Sequence, residues 1–571
     1  MKFLNKIFFL KPIFHNVFRL LTRRQKLLMA LMLFLILGFS IIETIGISII
    51  MPFISIVSDT SLLDGGHYKT AFDFFGFDTH REFIIFFGIA IIVFYFFRGG
   101  YLILLTYIKR RYSNSIYKHY ARKALALNLS IPYKVYTQKN TGELMQAITN
   151  ETKEVSKAVL HILTLFTEVF TVIMIYSVLI FINWRMTLIV TFILLFLIII
   201  MMLFMTKINA VQGAKKFRAG RKLKRTLKET LANYKYIKLK GSEAAVSKKY
   251  KHELNTITKA EMVNHVLNVA PRSILETLAF SFLIGVVVVF IWLNNDASTI
   301  IPVITMYALA LFRIIPSIHR LLHEINGLVF SEETMKNVYK TLRQEVDNEG
   351  SEPIAYNNSI RLENIHFEYV TGKEVITGVS LEIKKGEKIA VVGASGCGKT
   401  TLVDIITGMH KPVSGVVYID DVALTNHTVR DWRKKIGYIP QTIYLFDGTV
   451  ADNVSFGSDY NEEKIKTALI KANIWDFLSQ KDGIHTLVGD AGIQLSGGQQ
   501  QRICIARALY DDPEILVLDE ATSALDNHTE QKIMDEIYSV SASKTLIVIA
   551  HRLTTVERCD RKIHIVNGKI A

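Results

Sequence analysis

The sequence predicts a polytopic α-helical membrane domain of six spans with long cytosolic helix extensions, fused to an α/β P-loop nucleotide-binding domain. Three observations carry this. Residues up to about 330 hold several uninterrupted apolar stretches, each long enough to cross a bilayer at about 1.5 Å per residue. The Lys/Arg excess falls between those stretches. Further on, GASGCGKT, Gly393 to Thr400, fits the phosphate-cradling pattern G-x-x-x-x-G-K-[ST]. The expected organisation is an amphipathic segment over 1–26, the membrane domain over 27–330, a linker over 331–355 and the nucleotide-binding domain over 356–571.

Residues 1–26 mix Phe, Ile and Leu with Lys2, Lys6, Lys11, Arg19, Arg23 and Arg24 and lack a small-residue cleavage site, so a helix lying on the cytosolic leaflet is expected rather than a signal peptide. The spans are expected near 27–57, 83–107, 159–182, 185–205, 271–293 and 300–321. The net charge of +16 is concentrated in 109–158 and 207–260, while the loop 58–81 carries Asp59, Asp64, Asp73 and Asp78. That asymmetry is the positive-inside pattern, places both termini in the cytosol and argues against a nucleic-acid partner. Cys397, Cys504 and Cys559 show neither pairing nor metal-ligand spacing, which fits a reducing compartment.

Ionisable residues within apolar stretches are costly unless they face a cavity or a partner. Glu43, Arg98, Glu168, Arg272, Glu276 and Arg313 are such residues. Arg98 lies roughly 22 Å along the second span from its outer end, and Arg313 roughly 20 Å along the sixth. With Arg272 at the cytosolic start of the fifth, all three arginines fall in the inner half of the membrane. A guanidinium fork suits phosphate oxygens, so a diphosphate headgroup is a natural ligand. Snorkelling, or pairing with Glu43 or Glu276, is the alternative.

After a polar, turn-rich linker the pattern changes to strands. Arg361 to Val370 alternates like an antiparallel edge, and Lys388 to Gly393 is a short apolar strand ending at the phosphate loop. Gly393, Gly396 and Gly398, with Ala394, Ser395 and Cys397 between them, let backbone N–H groups approach phosphates at a helix start. Lys399 would reach the β and γ oxygens and Thr400 would ligate Mg²⁺, with Thr401 beside it. Ile515 to Glu520 is an apolar strand delivering two carboxylates, Asp519 for Mg²⁺ and Glu520 as general base toward the attacking water. Between these lies LSGGQ, Leu495 to Gln499.

In this order and spacing the motifs resemble the ATPase of ABC transporters, which implies an α/β P-loop ABC ATPase using ATP and Mg²⁺. The resemblance implies that Tyr369 stacks on adenine, that Gln441 senses Mg²⁺ and the transporter interface, and that Ser496, Gly497, Gly498 and Gln499 contact ATP held by the other copy of the domain. It further implies D-loop and γ-phosphate roles for Asp526 and His551. Tyr136 to Val155 and Gly241 to Leu254 resemble the two intracellular loops of ABC exporters. One such set per chain makes the chain half of a homodimer.

The chain is similar, more closely, to the PglK-type flippases of polyprenyl-diphosphate-linked oligosaccharides. Ile42 to Asp59, Val93 to Gly99, Ala270 to Glu276, Ala310 to Ser317 and Arg433 to Phe446 carry this, and the three arginines lie within those stretches. The resemblance implies outward movement of such a lipid across a bacterial inner membrane, and a short outer-face helix over Leu62 to Gly76 that the Gly65-Gly66 pair would interrupt. The same fold serves exporters of lipid A-like lipids or hydrophobic drugs, and O-chain carriers use the same diphosphate lipid. A channel using ATP only as a gate is a further reading, and would tolerate Glu520→Gln.

Overall fold

The computed structural model describes residues 10–58, 60–293, 301–344, 346–489, 492–519, 527–549 and 556–571. Two compact units emerge: a helical one reaching Leu129 and resuming over Lys139–Gln344, and an α/β one comprising Ser130–Gln138 and the chain from Glu345.

In the helical unit, four helical segments among the described residues are long and apolar enough to cross a membrane: Arg23–Val57, His80–Leu129, Thr141–Phe181 and Ile198–Ala232. The expected fifth and sixth spans fall in the helices Glu243–Leu293 and Ile301–Phe330. The expected extensions are present, since the second span belongs to one 50-residue helix, His80–Leu129. The third and fourth share the helix Thr152–Ala232, yet Thr187 Oγ1 donates to Leu179 O at 3.1 Å. Eight residues of straight helix would separate those groups by about 12 Å, so the chain doubles back there. Ile175 and Leu179 accordingly share an apolar cluster with Met201 and Met205.

Two boundaries differ from expectation. The helix Leu10–Leu20 does not simply rest on a leaflet: Val17 and the following Leu21 are buried with Met29, Tyr112, Ile116, Met335 and Val338, so its apolar face is covered by protein. The linker starts later, because Glu332–Thr341 is a helix that buries Met335 and Val338 in that same cluster. The Gly65-Gly66 pair interrupts the stretch Leu62 to Gly76 as expected, with a 3₁₀ turn, Thr60–Asp64, ending before it and a new helix beginning after it. Gly65 is the N-cap of Gly66–Phe75, and Gly76, at φ 68°, ends it in the left-handed conformation that glycine tolerates.

Close helix approach depends on one glycine. A Cβ on Gly213 would lie 2.1 Å from the Phe330 carbonyl oxygen, a backbone atom that cannot rotate away. Gly213→Ala is therefore expected to destabilise the helical unit by about 1–3 kcal/mol, whereas Gly220→Ala, whose Cβ would meet only Gln146 Nε2 at 3.6 Å, should be nearly silent. Thermal unfolding in detergent separates the two.

The α/β unit holds two sheets. The first contains β1 (Ser359–Val370), β2 (Lys373–Lys384), β4 (Ser414–Ile419) and β5 (Val422–Ala423) in the order β2-β1-β4-β5. β1 is antiparallel as expected but interior rather than an edge, pairing with both β2 and β4. The second contains β3 (Lys388–Val392), β6 (Ile436–Ile439), β7 (Ile515–Asp519), β8 (Thr545–Ile549), β9 (Arg561–Val566) and β10 (Lys569–Ile570) in the order β10-β9-β3-β8-β7-β6. Its central strands are parallel, and β7 and β8 are buried at every position. Ile389, Val391, Ile515, Val517, Ile547 and Ile549 join one core, while Ala390, Leu516, Leu518, Leu546 and Val548 join another. Apolar residues on both faces of each strand are what a covered parallel sheet requires.

Candidate nucleotide site

β3 delivers the chain to a loop whose shape demands glycine. Gly393, Gly396 and Gly398 have φ of 154°, 81° and 107°. A Cβ on Gly393 would stand 2.4 Å from Ile565 O, and one on Gly398 would stand 2.8 Å from Ile376 Cδ1. Cys397 packs its sulfur inside this turn, within 2.8 Å of that same Gly393 position, which suits a filler better than a redox switch.

Gly398 precedes the helix Lys399–Ile406, whose first turn holds Lys399, Thr400 and Thr401. Lys399 is buried, and its Nζ donates to Gly393 O and Ala394 O at 3.0 Å each. The loop is thus a ring of backbone around an ammonium at a helix N-terminus, the electrostatics that bind phosphate. β7 ends at Asp519, whose Oδ2 accepts a 2.9 Å bond from Tyr438 OH on the neighbouring β6. β6 and β7 are parallel with Ile439 opposite Leu518, so Gln441 leaves the sheet at the edge where Asp519 ends. A hydroxyl, an amide oxygen and a carboxylate form the hard oxygen set that Mg²⁺ prefers, and Mg²⁺ bound with ATP would neutralise charge on its phosphates. Glu520, Asp526 and His551 lie outside the described residues.

The signature motif begins a helix. Ser496 is the N-cap of Gly497–Leu509, with Gln499 completing a capping box, and both Ser496 and Gly497 are exposed. The N–H groups of Gly497 and Gly498 are thereby presented at a positive helix end.

Tyr369 ends in a polar nest. Its hydroxyl lies 3.2 Å from both Thr401 Oγ1 and His410 Nε2, and its backbone oxygen accepts from Gln138 Nε2 at 3.0 Å. His410 stacks on Phe367 at 4.7 Å and has Tyr133 at 5.3 Å. Ser130–Gln138, including the short helix Tyr133–Tyr136, thus belongs to the ATPase unit, whereas 139–155 belongs to the helical unit. The segment grouped with the ATPase unit therefore begins at Ser130, before the stretch Tyr136 to Val155. In the second loop, Gly241 caps the helix Tyr234–Lys240 at φ 57°, and the long helix from Glu243 follows.

Beside the site, Asp404 has its carboxyl pushed from 3.8 up to about 7 by burial and then by Asp519. His410 is pushed down to about 4 by burial and then by Lys134. Between pH 4 and 6.5 the folded chain keeps the Asp404 proton that the unfolded chain loses, so this group lowers stability as pH rises. His410, neutral when folded, raises stability over the same window. The slopes oppose each other, and Asp404→Asn removes only the first. In nucleotide-free protein its melting temperature is expected to climb between pH 5 and 6.5, where the unsubstituted chain stays nearly flat, as differential scanning fluorimetry across buffers would show.

Two of the membrane arginines meet carboxylates, the pairing with Glu43 and Glu276 that is the alternative to a phosphate role. Arg98 engages Glu43 with two nitrogens: Nη2 donates to Oε1 at 2.7 Å, and Nε donates to Oε2. Arg272 Nε donates to Glu276 Oε1 at 2.7 Å on the same exposed helix face. Arg313 falls in the helix Ile301–Phe330, its side chain outside the described residues. A further pair, not anticipated from the sequence, joins the exposed Arg320 to the buried Glu168 at 2.5 and 3.0 Å. The signal was available, since an intramembrane Glu168 calls for a cation and Arg320 sits at the end of the sixth span. Tyr438 and Asp404 were missed because only the fold brings them to Asp519.

Comparisons with known proteins agree with this geometry. The family profile for the ABC transporter ATPase matches residues 376–523, and that for the ABC transporter transmembrane region matches residues 28–315. An ATP-dependent lipid A-core flippase of Burkholderia pseudomallei is 30% identical over 442 residues, covering 76% of this chain and 74% of that protein. Its counterpart in Ralstonia nicotianae is 30% identical over 498 residues, covering 85% and 82%. The heterocyst differentiation ATP-binding protein HepA of Nostoc is 30% identical over 471 residues, covering 80% and 75%. In fold, the chain resembles a bacterial Atm1-family ABC exporter solved with ATP bound, at a TM-score of 0.77 and 23% identity over 96% of this chain and 94% of that one. With a transmembrane region and an ATPase domain joined in one polypeptide, the protein belongs to the ABC transporter family, as an exporter-type half-transporter whose ATPase drives transport.

Proposed function

We propose that two copies of this chain form a flippase that moves a phosphate-bearing saccharide lipid, of the polyprenyl-diphosphate oligosaccharide class, from the cytosolic to the outer leaflet of a bacterial inner membrane. The observation that carries the reading is the Arg98–Glu43 pair. Two opposite charges within apolar spans are retained against a desolvation cost, which favours a functional origin. Glu43 is almost fully buried and takes up Nε and Nη2 of Arg98, whose side chain is 20% exposed; the carboxylate orients the fork, and Nη1 is the nitrogen that would meet an incoming phosphate oxygen. Arg272 and Arg313 would complete the cationic path in the inner half of the membrane.

ATP would bind between the phosphate loop of one copy and Ser496 to Gln499 of the other, with Tyr369 on adenine. Closure of that pair opens the membrane path outward. Glu520 polarises the attacking water, and Gln441 and His551 contact the reacting region. Asp526 would link the two sites, and loss of the γ-phosphate bridge separates the copies. The cation-rich segments 109–158 and 207–260 support a topology with both termini in the cytosol.

A second reading takes the cargo to be a lipid A-core lipid, as the printed names of several relatives at 30% identity say of those proteins. The two lipids share phosphate next to sugar and differ in the tail. Proteoliposomes loaded with each, given ATP and sampled for outer-leaflet lipid, decide between them. Transport of the polyprenyl lipid alone supports the first reading. Transport of lipid A-core alone moves the assignment to the second, and transport of neither sinks both.

A further inference from the structure

We propose that the cytosolic end of the helical unit carries a binding site for a small, soluble phosphorylated polyol. A cavity of about 180 Å³ lies where the end of His80–Leu129, the helix Thr141–Gln146, the cytosolic part of Thr152–Ala232 and the helix Glu332–Thr341 converge. This volume accommodates a phosphate with a short carbon chain. Lys139, Arg221 and Lys340 line it against the single carboxylate of Glu143.

The cations are incompletely matched. Arg221 Nη1 stands 3.3 Å from Glu143 Oε2 and its Nε 3.6 Å from the buried Glu151 Oε1, an ion pair just beyond hydrogen-bond reach. Lys340 makes no ion pair among the described residues, whereas Lys139 Nζ donates to Gln344 Oε1 and is held by burial below the usual lysine range. Three cations thus face the carboxylates of Glu143 and Glu151, and an anion would balance the positive charge left over, chiefly at Lys340.

A second, independent observation specifies the rest of the ligand. Asn128 lines the cavity at 7% exposure, and its Nδ2 is committed to Ala124 O at 2.7 Å. That bond fixes the amide orientation and leaves Oδ1 buried without a donor. A buried acceptor lacking its bond costs about 1–3 kcal/mol. Phosphate alone, ionised, cannot supply that donor well, but a hydroxyl on the same molecule can.

The source is soluble rather than a lipid headgroup, because Asn128 lies about 30 Å along the helix beyond the expected membrane exit at residue 107. A bound anion would tie the linker-side helix Glu332–Thr341 to the cytosolic helices. The site is independent of which lipid is carried.

The test uses the full-length transporter in nanodiscs, with ADP and Mg²⁺ saturating so that the phosphate loop is occupied. Isothermal titration with sn-glycerol 3-phosphate should give saturable binding, inorganic phosphate weaker binding, and glycerol none. The double variant Lys139→Ala with Lys340→Ala should bind glycerol 3-phosphate at least about tenfold more weakly, with ADP affinity unchanged as the control for folding. Asn128→Leu should weaken glycerol 3-phosphate while leaving inorganic phosphate alone. Affinity should match in zwitterionic and anionic nanodiscs. No saturable binding, or binding indifferent to the two lysines, overturns the site. An unchanged preference for glycerol 3-phosphate over phosphate in Asn128→Leu overturns the polyol, and competition from anionic lipid overturns the soluble source.

Discussion

Lys399→Ala is expected to lower ATP hydrolysis by about a hundredfold or more while leaving the protein folded. The phosphate loop is preorganised by three glycines at positive φ, and its single side-chain cation already sits inside the ring it must serve, 3.0 Å from two loop carbonyls. When phosphates occupy that ring, the ammonium exchanges carbonyl oxygens for β and γ oxygens whose charge changes as the terminal bond breaks. Removing it withdraws a stabilisation that backbone N–H groups cannot replace. The glycine contacts with Ile565 and Ile376 shape the loop and do not involve the lysine side chain, so the loop should persist. Phosphate release by the purified transporter, beside its melting curve, measures both quantities. Hydrolysis above about a third of the unsubstituted rate would mean that Lys399 does not face the reacting phosphates.

The residues most legible in the sequence are those whose local chemistry and local structure coincide. Gly393, Gly396 and Gly398 are adjacent in the chain and adjacent in the site, so their spacing alone describes the loop. Asp519 ends a strand whose uninterrupted apolar run already marks a covered parallel sheet. Long polar helix extensions were readable because apolar runs pass into charged ones without a turn signal. What the sequence left hidden depends on long-range meeting. Tyr438 reaches Asp519 only because β6 and β7 are neighbours, and Arg320 reaches Glu168 only because the sixth span packs on the third. The N-terminal helix had the amphipathic pattern of a leaflet helix, but periodicity does not say whether lipid or protein covers the apolar face. Val17 and Leu21 settle that only through Met335 and Val338, more than three hundred residues away. The Gly65-Gly66 pair was legible for a local reason. Glycine breaks a helix interior and serves a helix start, and both hold here, with a 3₁₀ turn ending before the pair and the helix Gly66–Phe75 beginning at it.

Glu43→Ala is expected to destabilise the helical unit by about 3–5 kcal/mol, and Arg98→Ala by a comparable amount, while the double variant loses much less than their sum. Each single change strands one charge among apolar spans. Glu43 has a side chain only 2% exposed, so its carboxylate has no route to water once Arg98 is gone. Arg98 at 20% can shift toward the path it borders, so the Glu43 variant should be the milder of the two. Thermal unfolding of the four proteins in matched lipid gives the cycle, and strict additivity would mean that the pair does not form in the membrane. The same four proteins separate support from recognition. If Arg98 only neutralises Glu43, the double variant, with no stranded charge, should transport as the unsubstituted chain does. If its free guanidinium edge also receives a phosphate, the double variant should recover stability yet still move the phosphate-bearing lipid at least about tenfold more slowly, because charge-assisted bonds to phosphate are worth more than about 1.4 kcal/mol each. Stability and transport therefore part company only under the second description, and that divergence distinguishes a cargo contact from an internal ion pair.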